Sequence, residues 1–180
     1  TGGDMGAHVV HVKYFIENIA SSFKINGWSN DWFAGYPLYY FYFPFPAILT
    51  FFLNLIIPYG VAFKLMVSGS IILIVYSVEK LFRKEDKLFS HIGIVAGLMF
   101  ALTESFTIYG GNLASTLAGQ FSFTYSLAFA NLAIYFIAKS KHIYRVPISS
   151  IFLSLCLLSH LIPFILYIPA YSIYWLVCKE

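Results

Sequence analysis

Charge is what this sequence has least of. Asp, Glu, Lys and Arg make up 11% of its 180 residues, against 59% hydrophobic and 20% aromatic, and the mean hydropathy is +0.77. Soluble domains carry about 25% charged residues, so the composition argues against a water-soluble globule. A basic stripe is missing as well: the lysines sit between apolar runs and the net charge is only +3, which leaves no footprint for nucleic acid. Cysteine is limited to Cys156 and Cys178, both within apolar segments. Two such residues build neither a disulfide framework nor a metal-ligand spacing, and they read as buried thiols. The chain opens without methionine and without the charged, apolar and small-residue pattern of a signal peptide; it reads as a piece of something longer. No internal repeat, low-complexity tract or flexible linker interrupts it, which predicts one membrane domain over residues 1–180.

What the chain has in quantity is long apolar runs. A membrane-crossing helix needs about 20 mostly apolar residues. Residues 59–82, 91–108 and 121–138 each meet that need, and 147–178 is apolar for more than one crossing. Pro163 and Pro169 lie inside this last run, and proline removes a helical hydrogen bond. The run therefore reads as a hairpin of two short helices turning near His160–Pro163, which makes about five transmembrane helices over 59–180. Lys80, Arg83, Lys84 and Lys87 fill one short loop, Lys139, Lys141 and Arg145 another, and Lys179 closes the chain; these are eight of the eleven basic residues. With alternating spans they fall on one side, which the positive-inside rule makes cytoplasmic.

Residues 1–58 then form an outer loop. The run 38–57 begins in a crowd of aromatic residues, "GWSNDWFAGYPLYYFYFPFP", and tyrosine and tryptophan favour the headgroup level. It reads as an interfacial or re-entrant helix, the alternative being a full crossing. Residues 8–23 read as a second surface helix, with Val9, Val12, Ile16, Ile19 and Phe23 on one stripe. The expected class is thus all-α integral membrane, with two juxtamembrane helices on the outer face.

The polar residues collect at that face. Ionisable groups at membrane depth are costly and tend to face a protein interior or a water-filled cavity, so several on one rim point to a pocket. Asp4 lies in "GGDMGAH", where it can also cap the helix that follows. His8 and His11 are one turn apart, a geometry that can hold a metal. Asp31 has the setting of an Asx-turn residue. Glu104 ends its span, Asn112 and Gln120 flank the "YGGNLASTLAGQ" loop, and His160 sits at the hairpin turn, where it can pair with Glu104. Lys64, one turn into its span, can snorkel to headgroups or neutralise a lipid-linked phosphate. Trp32 and Tyr36 belong to an aromatic run that serves either as an anchor belt or as a substrate platform.

"GGDMGAHVVHVKYF", "GWSNDWFAGYPLYYFYFPFPAIL" and "YGGNLASTLAGQFSFTYSLAF" together resemble the prokaryotic membrane family labelled 6-pyruvoyl-tetrahydropterin synthase-related. The order of parts, an acidic outer motif, a surface helix, an aromatic segment and a span entered by a basic residue in "VAFKLMVSG", looks like the membrane module of GT-C superfamily glycosyltransferases. The pterin-synthase label itself implies nothing here, since neither its strands nor a three-histidine set is in the sequence. The GT-C resemblance implies a site on the extracytoplasmic face of the cell membrane, a polyprenyl-phosphate-linked sugar donor, and a carboxylate in the first outer loop acting as general base or as ligand to a divalent cation such as Mg or Mn.

Asp4 is the matching position, and an acceptor hydroxyl attacking the anomeric carbon needs such a base. His8, Lys64, Asn112, Gln120, His160, Tyr36 and Trp32 are then the expected substrate contacts. In the second outer loop some relatives carry another acidic residue where Gln120 or Asn112 falls here. A two-carboxylate cation site therefore needs Glu104 or Asp31 beside Asp4. The competing expectations are a transporter or lipid-handling protein, for which the paired inverted repeats are missing, and a non-catalytic envelope scaffold.

Overall fold

A computed structural model describes residues 2–31, 34–82, 87–104, 110–139 and 143–177. Trp32, Arg83, Lys84, Lys141, Cys178 and Lys179, all named above, lie outside the described residues. The architecture is all-α apart from one small hairpin. Helix α1 (Met5–Tyr14) continues without interruption through a π turn (Phe15–Ile19) and a 3₁₀ turn (Ala20–Ser22). Strands β1 (Gly27–Ser29) and β2 (Tyr36–Leu38) pair antiparallel, with Trp28 opposite Pro37. Then follow α2 (Phe45–Asn54), α3 (Tyr59–Phe82) and α4 (Lys87–Leu102). The short α5 (Leu113–Ser115) passes through a π turn (Thr116–Gln120) into α6 (Phe121–Lys139), and α7 (Arg145–Ser159) and α8 (Leu161–Val177) complete the chain.

The contacts give the direction of each helix. Ser90 on α4 bonds Glu79 on α3, and Gly97 lies against Val75, so α3 and α4 are antiparallel. Phe63 meets Phe121, the Tyr125 hydroxyl donates to the Met66 carbonyl 2.6 Å away, and Asn131 bonds Ser77, so α6 runs parallel to α3. Phe152 of α7 stacks on Phe136 at 5.2 Å while Ser126 bonds the Cys156 carbonyl, and on α8 Tyr167 reaches Asn131 and Tyr174 reaches the Ala138 carbonyl. Helices α3, α4, α6, α7 and α8 therefore alternate in direction. The expected hairpin in the last apolar run is present, broken by His160 in extended conformation (φ −169°, ψ 137°).

Two helical stretches among the described residues, Tyr59–Phe82 and Leu113–Ala138, are long and apolar enough to cross a membrane. Helices α4, α7 and α8 are apolar but shorter, at 16, 15 and 17 residues. The α4 span, expected over 91–108, begins at Lys87 and ends at Leu102, where the Thr103 N–H turns back to the Phe100 carbonyl. The ten residues of α2 rise about 15 Å at 1.5 Å each, half of a bilayer core. That length fits the interfacial reading of 38–57 and not the full crossing. Pro44 at its N-cap and Pro46 in its first turn start the helix, since proline is pre-set for that position and donates no N–H there.

The first helix differs from expectation in its buried face. Met5, His8, Val12, Phe15 and Ile19 are buried, whereas Val9 and Ile16 are half-buried and Phe23 is 99% exposed in a left-handed conformation that ends the helix. The stripe is rotated toward His8, which packs its ring on Phe121 and Tyr42. The buried core joins this outer segment to the bundle: Phe15, Leu38 and Tyr39 share it with Phe63, Met66, Phe121, Tyr125 and Phe129.

Helix α4 approaches α3 through Gly93, Gly97 and Ala101, four residues apart and all buried. A Cβ at Gly93 would lie 2.9 Å from the Glu79 Cα, and one at Gly97 3.0 Å from the Val75 Cα, the close backbone approach that small residues permit between apolar helices. Gly97→Val should therefore lower stability by about 1–3 kcal/mol through overpacking. Gly60→Ala, where a Cβ enters open space, should leave stability nearly unchanged. Thermal unfolding in detergent separates the two, and equal melting temperatures for both variants would refute the packing account.

Candidate functional site

The start of the chain is held by an unusually close backbone contact. The Asp4 N–H donates to the Ala118 carbonyl at 2.9 Å, inside the π turn that precedes α6. Gly3 has φ +58°, and a Cβ there would sit 2.5 Å from the Ala118 oxygen. From the other side Gly119, at φ +115°, lies where a Cβ would come within 3.1 Å of the Asp4 carbonyl carbon and the Met5 nitrogen. Only glycine combines that backbone with that proximity. At Gly3 the space a side chain would take is filled by the Ala118 carbonyl.

Asp4 occupies the N-cap position of α1, but its side chain makes no capping hydrogen bond. The expectation of a cap is therefore not met, and the carboxylate is exposed at the mouth of a cavity of about 160 Å³. His8, His11, Tyr36 and Tyr42 line the same cavity, together with Leu38 and Tyr39. Tyr36 stacks on His11 with ring centroids 5.4 Å apart and planes 11° apart, and the Tyr42 hydroxyl is 3.5 Å from His8 Nε2. The wall is carried by α1 on one side and by β2 and the following turn on the other, which is what the small hairpin contributes.

Burial dominates the electrostatics. It lowers His8 from its ordinary 6.5 to about 4, helped by the neighbouring His11 and opposed by Asp4. His11 is lowered by burial too. Tyr42 is raised by burial first, then by Asp4 and Tyr36, and Tyr39 is raised by burial first and then by its tyrosine neighbours. At neutral pH the imidazoles are thus uncharged and these phenols hold their protons.

A second cavity, about 600 Å³, opens on the opposite face of the same helical turn. It is lined by Gly2, Gly3, Gly6 and Val9 and by Phe63, Lys64, Val67 and Ser68 of α3, with Lys64 the one charged residue among the described residues of the lining. A Cβ on Gly2 or Gly6 would meet nothing within 4 Å, so glycine at those positions leaves this cavity open.

The other expected residues do not join these cavities. Asn112 is buried and caps α5, its Oδ1 accepting from the Ser115 N–H at 2.8 Å. Gln120 closes the π turn, half-buried, and its carbonyl accepts from Thr124. His160 accepts from the Ile162 N–H through Nδ1 and packs against Phe43 and Phe123, where pairing with Glu104 was one expectation. Asp31 is exposed, with its N–H directed at Ser29 Oγ, and Glu104 is exposed beyond α4. Neither Asp31 nor Glu104 lines the cavity at Asp4, and among the described residues no three His, Cys, Asp or Glu side chains are grouped to hold a metal. Sequence reading missed Tyr42 as a partner of His8 and Ser68 as a neighbour of Lys64, and only the helical spacing from Lys64 signals the latter. No family model matches the chain, and comparison with curated proteins and with solved structures finds no similar protein.

The buried, neutral His8 has a consequence for stability. Its folded pKa lies below the unfolded one, so the unfolded state binds the extra proton between about pH 6.5 and 4. The contribution is fully present above pH 6.5 and is lost as pH falls, amounting to about 3 kcal/mol over the whole interval. Denaturant unfolding in detergent at pH 7 and pH 4.5 should show this loss, and His8→Phe should reduce it. A wild-type stability flat across that range would contradict the buried neutral imidazole.

Proposed function

We propose that the chain is the outer-face module of a membrane glycosyltransferase of the GT-C type, transferring a sugar from a polyprenyl-phosphate-linked donor to an extracytoplasmic acceptor. The observation that carries this reading is the pair of cavities set back to back on the first turn of α1: one is apolar with the lone cation Lys64, the other polar with Asp4. The five alternating helices are taken as crossings of a prokaryotic cell membrane. Lys80, Lys87 and Arg145 lie at the end of the bundle away from both cavities, which supports placing the cavities on the extracytoplasmic side.

In this reading the donor's lipid lies in the larger cavity against Val9, Phe63 and Val67, with its phosphate beside Lys64. The acceptor hydroxyl approaches Asp4. As its oxygen forms the bond to the anomeric carbon, Asp4 takes its proton. The bond from the anomeric carbon to the phosphate oxygen breaks, the electron pair leaves with the phosphate, and Lys64 offsets the developing charge. His8 and Tyr42 line the acceptor side as uncharged hydrogen-bonding groups. Asp31 and Glu104, the carboxylates that could hold a divalent cation with Asp4, do not line its cavity, so the reading rests on Asp4 as the base.

One feature favours a second reading, lipid handling without transfer: the cavity that holds Lys64 has no carboxylate in it. The two are distinguished in liposomes with a panel of radiolabelled polyprenyl-phosphate sugars. Asp4→Asn should reduce turnover by about 10²–10⁴-fold, as loss of a general base does, with donor binding retained. Gly6→Leu, which fills the larger cavity without a backbone clash, should weaken donor binding instead. Donor binding with no turnover in the wild type would favour the lipid-handling reading, and no binding by folded protein would leave a scaffold.

A further inference from the structure

The smaller cavity has a composition that selects for charge. Among the described residues its polar and aromatic lining consists of Asp4, His8, His11, Tyr36, Tyr39 and Tyr42, with no lysine or arginine. An anion entering it would meet a carboxylate and no cation. An apolar group would strip water from that carboxylate without replacing the lost interaction. A neutral polyol can hydrogen-bond to the carboxylate and the phenols, but it gains nothing from the ring faces beyond contact. A cation gains twice, from the Asp4 carboxylate and from the negative faces of the aromatic rings, an attraction that strengthens as water is excluded.

We propose that this cavity binds a small organic ammonium group, a primary amine or its methylated forms. The size agrees: about 160 Å³ holds roughly five water-sized groups, the scale of a methylated ammonium head and well short of a phospholipid. The wall itself does not compete for Asp4 as a cation would. Burial lowers both His8 and His11, and among the described lining residues Asp4 brings the one carboxylate. Tyr36 is braced by its stack on His11, which fixes the ring before a ligand arrives. The proposal does not depend on sugar transfer, since it concerns binding at a cavity that exists whichever reaction, if any, the chain performs.

The test uses the full chain in a polyoxyethylene detergent, which carries neither an ammonium group nor a sugar. Tetramethylammonium chloride is titrated while tyrosine fluorescence and melting temperature are followed, with sodium chloride at matched concentration as reference and erythritol as the neutral polyol. The expected result is a saturable response to tetramethylammonium alone. Asp4→Asn, which alters no capping bond, should weaken it at least tenfold, and Tyr36→Leu should weaken it several-fold. Glu17→Gln, which changes an exposed carboxylate elsewhere on the same helix, should leave it unaltered. A response equal to that of sodium chloride, a saturable response that survives Asp4→Asn, or tighter binding of erythritol would each overturn the proposal. Because no donor lipid is present, none of these outcomes bears on the glycosyltransferase reading.

Discussion

The hydrogen bond from the Asp4 N–H to the Ala118 carbonyl is the contact on which both cavities depend. It fastens the beginning of α1 to the π turn at the head of α6. With the end of α1 fixed there, the helix must run past α3, and the hairpin and α2 must cover its other flank. One cavity opens between α1 and α3, the other between α1 and β2. The contact has no side-chain chemistry of its own. It works because residues 3 and 119 lack a Cβ, so two backbones meet at hydrogen-bonding distance where any other residue would separate them. A π turn places one extra residue in a helical turn and is a frequent feature of functional sites. Here Ala118 in that turn accepts from the Asp4 N–H, and Gly119 beside it has non-helical backbone.

Helix α6 is suited to this central place by its buried polar residues. Asn131 donates to Ser77 on α3 and accepts from Tyr167 on α8. Ser126 Oγ lies 2.8 Å from the carbonyl oxygens of both Cys156 and His160, so one hydroxyl serves α7 and the hairpin turn. Tyr125 reaches the Met66 carbonyl. Between helices that are apolar on every face, hydrophobic burial discriminates poorly among registers, and each such bond, worth about 0.6 kcal/mol on average in a membrane, matters more for register than for strength. The three helices that meet α6 are therefore fixed at several heights along it, and the outer end of the bundle inherits that precision.

The parts of the fold that rest on local pattern were legible from residues alone. The length of 59–82 and the break at His160 follow from apolar run length and proline chemistry, and the observed elements agree with them. The β-hairpin was not legible, because strands of three residues carry no alternation to detect, and Trp28 opposite Pro37 is a pairing without a motif. The buried face of α1 was misjudged for a related reason. Hydropathy puts Val9 and Ile16 inside, whereas packing puts His8 and Phe15 there because Phe121 and Tyr39 supply the ring partners. For the site, Asp4 and His8 were each legible as outer-face candidates, while their sharing one cavity follows from the helix starting at Met5. That Lys64 belongs to the opposite cavity depends on how α3 passes α1, and no local spacing encodes it.

The separation of Asp4 from Lys64 has a physical logic of its own. A carboxylate and an ammonium placed in one open cavity would pair with each other. An exposed pair of that kind contributes only about 0–1 kcal/mol, yet it would engage both groups, and any ligand would first have to part them. They line different cavities, so each is placed to meet what enters its own. Gly2 and Gly3, both exposed, line the larger cavity without side chains. Glycine at position 3 is already required by Ala118, so the backbone contact that anchors α1 also leaves that stretch of the cavity wall bare.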